Sequence, residues 1–143
     1  MYTIVYGSTA NRDLTAKDIL NILECSRDFN EKNDVSGCLI YHNHRFVQIL
    51  EGDKTIVEEL YLNIKKDKRH SDVTLLYNPY KRERTFSNWS MAFIDLSIDN
   101  DNTEERKLFK TNLITYSELA EISDQASAIF WSEVKLILEQ NDL

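Results

Sequence analysis

The sequence has few of the residues that many phosphate-binding and redox sites require. Only three glycines and one proline occur in 143 residues, and no glycine-rich loop marks a diphosphate site. The two cysteines, Cys25 and Cys38, form no CxxC pair, so we expect reduced thiols. P-loop, Rossmann, GxSxG and HExxH patterns do not occur. The motifs therefore give little support to conventional catalysis.

Positive charge and long apolar segments are also scarce. Lys and Arg number 17 against 24 Asp and Glu, which gives a net charge of −7. This charge is unfavourable for binding to nucleic acid or to an anionic membrane surface. No apolar run approaches the roughly 20 residues of a membrane helix, and the first residues lack the basic segment and cleavage site of a signal peptide. We therefore expect a cytoplasmic protein that binds neither nucleic acid nor membrane.

Hydrophobic periodicity predicts an α+β fold. Thr15 is a suitable N-cap with Asp18 three residues later, as in a capping box, and Gly52-Asp53 precedes a second amphipathic helix. The predicted strands span residues 2–7, 36–41, 46–51, 73–77 and 89–96, and the second and third are joined by the short connection 42–45. The order β-α-β-β-α-β-β contains a ferredoxin-like pattern, in which two helices cover one face of the sheet.

The strands are apolar on both faces, although two helices can cover only one. Alternate side chains of the strand Phe46–Glu51 point to opposite faces, and both sets are largely apolar. An uncovered second face would leave a large apolar patch. Residues 97–143 contain two further helical stretches, so we predict that this C-terminal helical extension packs on the second face or forms a subunit contact there.

Few side chains favour a metal site. His42 and His44 fall near the predicted hairpin tip, where a metal pair is one interpretation. Two exposed turn residues are the favoured interpretation, because no third ligand is evident.

Gln48 is harder to explain, because it places an amide in the middle of an apolar strand. A buried glutamine must satisfy two donors and an acceptor oxygen, so it needs a polar partner on its face of the sheet. Taken alone, a neighbouring side chain would be a sufficient partner. Tyr6, Asn30 and Trp89 each have an ordinary interpretation as well, as a core tyrosine, a helix C-cap and a core tryptophan.

Together, however, these residues resemble one family in order and spacing. The pattern consists of Tyr6-x-Ser8-x-Ala10, Ser26, Asn30, Ser36-Gly37, Phe46-x-Gln48-x-Leu50-Glu51-Gly52, Asp67-x-Arg69-His70 and Arg84-x-Phe86-x-x-Trp89-Ser90-Met91. It is similar to that of BLUF domains, which sense blue light using flavin, over residues 1 to about 96. Gly7, Phe29 and Ser36 depart from the commoner pattern but leave Tyr6 and Gln48 in place.

The resemblance implies a flavin, usually FAD, with FMN or riboflavin also possible, between the two helices that lie on the sheet. It implies cofactor contacts from Tyr6, Ile22, Ser26, Phe29, Asn30, Gln48, Ile64, Asp67, Arg69 and His70. Tyr6 would supply an electron and a proton, and the amide of Gln48 would rearrange by rotation or tautomerisation. Trp89 and Met91 would transmit the change.

The implied function is that of a blue-light photoreceptor without enzymatic activity of its own. We expect a homo-oligomer or a contact with a signalling protein whose identity the sequence does not give. One alternative is a flavin-free ferredoxin-like interaction module, which would be colourless. An acylphosphatase-like hydrolase ranks last, because Gly7 and Ser8 are a poor substitute for an anion-binding loop.

Overall fold

The computed structural model describes residues 2–77, 92–95 and 125–139. Its strands are β1 (Tyr2–Ala10), β2 (Ser36–His42), β3 (Arg45–Gly52), β4 (His70–Tyr77) and β5 (Ala92–Asp95), and its helices are α1 (Ala16–Lys32), α2 (Lys54–Lys66) and α3 (Gln125–Glu139). Trp89, Met91 and the first helical stretch of the predicted extension lie outside the described residues. None of the helices in the described ranges combines the length and hydrophobicity needed to cross a bilayer.

The five strands form one sheet in the order β4-β1-β3-β2-β5. β1 pairs antiparallel with both β3 and β4, and β2 pairs antiparallel with β3. β5 adds to the free edge of β2 in parallel orientation. The predicted α+β, ferredoxin-like arrangement is thereby confirmed, with β1 and β3 at the centre of the first four strands.

The two predicted helix starts are confirmed. Thr15 Oγ1 accepts the Asp18 N–H at 3.2 Å, and the Asp18 carboxylate accepts the Thr15 N–H at 2.9 Å, which completes a capping box. Asp53 accepts the N–H groups of Thr55 and Ile56 at the start of α2. These caps satisfy donors that have no partner within the helix, so the entry points of both helices are fixed locally.

A tight hairpin fixes the register of β2 and β3. Asn43 and His44 form its two-residue loop with φ values of 49° and 63°, the left-handed pair typical of a type I′ turn. Gly37 leaves room for the β3 backbone, because a Cβ added at this position would stand 2.0 Å from the Ile49 carbonyl oxygen. The register places Leu39 beside Gln48 on one side, and the β1 pairing places Tyr6 beside Gln48 on the other.

Each face of the sheet has its own core. On the first face, residues of α1 and α2 such as Leu23 and Val57 pack against Ile4, Tyr6 and Leu50. On the second face, α3 packs on the sheet. The buried residues of this second core are Val5, Cys38, Ile40, Val47, Ile49, Phe130, Trp131, Val134 and Ile137. The second face is therefore covered by this chain's own C-terminal helix.

Candidate functional site

A cavity of about 250 Å³ lies on the first face of the sheet, lined by side chains of α1, α2 and the central strands. Its volume is slightly below the roughly 300–1,000 Å³ found for small-molecule pockets. The lining residues are Tyr6, Ile22, Cys25, Ser26, Phe29, Leu39, Phe46, Gln48, Leu60, Asn63, Ile64, Asp67, Arg69 and His70. The cavity therefore has largely apolar helix walls above a floor that contains two polar groups, a phenol and a carboxamide.

These two floor groups, Tyr6 and Gln48, are bonded to each other. They are paired across β1 and β3 and are only 4% and 3% exposed. The Tyr6 hydroxyl donates a hydrogen bond to Gln48 Oε1. The other end of the carboxamide, Nε2, is a donor. Gln48 thus has the polar partner that its place in an apolar strand requires, and that partner is a redox-capable side chain.

Burial controls the protonation of the Tyr6 phenol. Removal from water raises the pKa of Tyr6 far above its ordinary value, and the nearby Tyr61 and Asp67 raise that pKa further. The phenol therefore stays protonated well above neutral pH, with its proton directed at Gln48. The ring is also packed against Tyr61, with centroids 5.7 Å apart and planes inclined by 49°.

An ion pair lies at the partly exposed edge of the cavity. Arg69 Nε donates to the two Asp67 carboxylate oxygens at 2.9 and 3.0 Å, and its terminal nitrogen donates to the same group. These bonds hold the pKa of Asp67 below its usual value, and they raise the pKa of Arg69. The pair contributes little net charge to the cavity edge, and it orders the chain between α2 and β4.

His70 joins β4 to two other elements. Its Nδ1 lies 2.8 Å from Ser8 Oγ on β1, and its Nε2 lies 2.6 Å from the Ile64 carbonyl oxygen in the last turn of α2. The ring is edge-on to Tyr6 and to Phe46, with centroid distances of 6.5 and 6.4 Å. His70 therefore forms a cavity wall whose two polar atoms are directed at protein groups.

The structure brings most of the predicted site residues together. The residues that line the cavity are Tyr6, Ile22, Ser26, Phe29, Gln48, Ile64, Asp67, Arg69 and His70. Asn30 is 1% exposed in α1 but is not among the lining residues. Trp89 and Met91 lie outside the described residues. Their proposed parts in light sensing therefore stay predictions.

Sequence reasoning missed five lining residues: Cys25, Leu39, Phe46, Leu60 and Asn63. Helical spacing could have identified two of them, because Cys25 follows Ile22 by three positions and Leu60 precedes Ile64 by four. Phe46 shares the face of Gln48, two residues away along β3. Leu39 could be identified only once the β2–β3 register was known, because it lies far from Gln48 in sequence.

Metal ligands are not clustered in the described ranges, where no group of three or more His, Cys, Asp or Glu side chains could hold an ion. His44 is exposed on the hairpin turn, as predicted. The same prediction is wrong for His42, which is half-buried as the last residue of β2, because the β2–β3 pairing extends to His42 and Arg45.

Comparison with known proteins identifies the family. Residues 1–92 match the model of BLUF, sensors of blue light using FAD. Photoactivated adenylate cyclase subunit beta of Euglena gracilis is 36% identical over 91 residues, which are 63% of this chain and 11% of that protein. The blue light- and temperature-regulated antirepressor BluF of Escherichia coli K12 is 30% identical over 96 residues, 67% of this chain and 24% of that protein. The matched region thus spans between about a tenth and a quarter of these two curated relatives.

Solved structures show the same likeness. The photo-activated state of BlsA superposes with a TM-score of 0.67 at 28% identity, covering 96% of this chain and 94% of BlsA. Klebsiella pneumoniae BlrP1 with FMN and cyclic diGMP has a TM-score of 0.63 at 28% identity, covering 76% of this chain and 29% of BlrP1. Because the family model matches residues 1–92, well over half of this chain, the chain belongs to the BLUF family of blue-light sensors.

Proposed function

We propose that this photoreceptor responds to blue light by rearranging the Tyr6–Gln48 hydrogen bond, and that the rearrangement alters its contacts with itself or with a signalling partner. BLUF domains bind FAD or FMN. The observation that carries the proposal is the buried Tyr6–Gln48 hydrogen bond on the floor of the cavity between the two helices. Riboflavin is a further candidate ligand, because the chain has no glycine-rich diphosphate loop.

The side chains of the cavity fit a flavin. Ile22, Leu39 and Ile64 supply apolar surface for a flat ring system, and Gln48 supplies a polar group on the floor. Arg69, Asp67 and Ser26 supply polar groups along the lining, and Asn30 is proposed as a further polar contact. When bound, the flavin supplies a chromophore for blue light that in its excited state is a strong oxidant.

Tyr6 is suited to act as the donor of an electron and a proton. Its phenol is protonated at neutral pH, burial raises its pKa further, and its O–H already points at the Gln48 oxygen. A buried phenol that loses an electron is best stabilised by giving up its proton at the same time. Gln48, in hydrogen-bond contact, would relay that proton, because its carboxamide can release a proton from Nε2 as it gains one on Oε1.

The Gln48 carboxamide is suited to change its hydrogen bonds after this transfer. A carboxamide carries an acceptor at one end and a donor at the other, so rotation or tautomerisation changes which kind of atom faces Tyr6 and which faces the cavity. The hydrogen-bond pattern then changes without a covalent bond between ligand and protein. A small red shift of the flavin absorption is the expected sign of the new pattern.

The position of β3 supports an output through the C-terminal extension. Gln48 lies between Val47 and Ile49, which point to the opposite face and belong to the core that α3 completes. A displacement of β3 at Gln48 would therefore also move Val47 and Ile49, which lie directly beneath α3. We propose residues 1–96 as the sensing unit and residues 97–143 as the extension, with a non-enzymatic output. Trp89 and Met91 on the predicted last strand are proposed to take part.

The visible absorption spectrum of the full chain, recorded in darkness and after blue light, tests this function. The proposal expects a flavin band that shifts slightly to the red and recovers in darkness. A flavin band without a shift would contradict the switching mechanism. A colourless protein that does not take up FAD, FMN or riboflavin would contradict flavin sensing as a whole.

A further inference from the structure

The imidazole of His70 has a definite proton arrangement. The Ile64 carbonyl oxygen is an acceptor, so His70 Nε2, 2.6 Å away, must carry a proton and donate it. In the neutral ring the other nitrogen, Nδ1, is then an acceptor. The Ser8 hydroxyl, 2.8 Å from Nδ1, is the group that donates to it. The protein thus selects the Nε2–H tautomer.

Both of these bonds serve groups that need a partner. Ser8 is 1% exposed, so its hydroxyl has been removed from water and its loss of a partner would be costly. Ile64 belongs to the last turn of α2, where carbonyl groups lack intrahelical donors and carry partial negative charge. The Ile64 oxygen accepts both the Asp67 N–H, at 3.1 Å, and His70. His70 therefore acts as a side-chain cap on α2.

The bridge from Ser8 through His70 to Ile64 lies directly beside Tyr6 and Gln48. Ser8 and Tyr6 lie on the same face of β1, and their β3 partners are Phe46 and Gln48. The His70 ring meets Tyr6 at 75° and Phe46 at 80°, both edge-on contacts. Any displacement of His70 therefore changes the space available to the Tyr6 ring.

We propose that His70 is a positioning residue: it ties the C-terminal end of α2 to β1 through both ring nitrogens and holds the Tyr6 ring in place beside Gln48, and it is not a hydrogen-bonding ligand of the flavin. Its part in light sensing rests on the proposed function, whereas its tautomer and its two protein bonds do not. Because both ring nitrogens are directed at protein groups, His70 would face a bound flavin with its ring carbon atoms.

The tautomer can be measured without light. The full chain with ¹⁵N-labelled histidine is studied by long-range ¹H–¹⁵N NMR at an alkaline pH at which histidines are neutral. The His70 signal, assigned by its loss in His70→Asn, should show the Nε2–H tautomer both before and after FAD is added. An Nδ1–H tautomer, or a change of tautomer on adding FAD, would overturn the proposal.

The positioning role is measured as the rate of dark recovery after blue light. Asparagine can still reach Ser8 but is too short to bridge to Ile64, so His70→Asn should retain bound FAD while its recovery rate changes about two- to tenfold, the effect of one hydrogen bond. His44→Asn is the matched control, since His44 is exposed on a turn whose left-handed backbone asparagine tolerates. The control should recover at the wild-type rate.

The outcomes separate this inference from the proposed function. An unchanged recovery rate in His70→Asn, with a normal red shift in the wild type, would overturn the positioning role alone. A wild type that lacks the red shift would overturn the proposed function, and the NMR measurement would still decide the tautomer and the bridge.

Discussion

Replacement of Gln48 by leucine should destabilise the flavin-free protein because it removes the acceptor of a buried hydroxyl. Tyr6 is 4% exposed, so its O–H could not turn to bulk water in Gln48→Leu. A buried donor without a partner costs about 1–3 kcal/mol. In Tyr6→Phe the donor is removed and the Gln48 amide oxygen loses the hydrogen bond from Tyr6, so we expect a similar loss in the free energy of unfolding.

The double variant should reveal the coupling between the two side chains. Tyr6→Phe/Gln48→Leu contains neither the hydroxyl nor the amide, so neither member of this pair is left without the other. Its loss of stability should be smaller than the sum of the two single losses by about 1–2 kcal/mol.

Urea denaturation of the flavin-free full chain gives each free energy of unfolding, provided that the m-value is constant across the variants. Gln48→Leu combined with Leu136→Ala is the control, because Leu136 is 48% exposed on α3 and lies outside the first core. That pair should be additive within about 0.5 kcal/mol. Equal additivity for the Tyr6 and Gln48 variants would mean that these two side chains do not stabilise each other in the flavin-free protein.

Three further predictions address the cavity wall, the ion pair and the second core. Cys25 is exposed on the cavity wall, whereas Cys38 is buried and burial raises its pKa to about 12. A thiol reagent should therefore modify Cys25 before Cys38, and bound FAD should slow the modification of Cys25 several-fold. Mass spectrometry follows both reactions. Hydrogen bonds from Arg69 lower the pKa of Asp67 in the folded state. The stability that Asp67 contributes is therefore fully present above its unfolded pKa of about 3.9, and it is lost as the pH falls through the folded pKa. Wild type and Asp67→Asn should therefore differ in urea stability at neutral pH and converge in acid; a constant difference would contradict this assignment. Phe130→Ala should lower the free energy of unfolding by about 3–5 kcal/mol, because Phe130 is fully buried in the second core. Leu136→Ala should lower it by no more than about 0.5 kcal/mol, because Leu136 is exposed. Similar losses for the two variants in thermal or urea unfolding would show that α3 does not pack as described.

Local patterns were sufficient to predict most elements of the fold. The capping box at Thr15 and Asp18 and the short connection between β2 and β3 are signals contained in a few adjacent residues, and both are confirmed. The extents of β1 and β4 were less predictable. β1 continues to Ala10 and β4 begins at His70 because these two residues pair with each other, and that pairing is a tertiary contact.

The cover of the second face illustrates a partial prediction. The apolar alternation of β3 required a cover for that face, but the pattern could not choose between this chain's extension and another subunit. In the structure, Phe130 and Val134 of α3 are both fully buried against the sheet.

The candidate site divides in the same way. The family pattern led to Tyr6 and Gln48, and the β1–β3 register explains why they meet. The bridge from Ser8 through His70 to Ile64 could not be predicted, because it joins β1, β4 and the end of α2 through side-chain directions. Such a contact depends on how three elements pack, and no spacing in the sequence encodes it.

We propose the Tyr6–Gln48 hydrogen bond as the light-responsive switch. The light-minus-dark absorption spectrum of Gln48→Leu loaded with FAD, recorded beside the wild type, tests this role. We expect the variant to bind FAD and to show no reversible red shift, whereas the wild type should show one. A normal reversible shift in Gln48→Leu would mean that the Tyr6–Gln48 hydrogen bond is not the switch.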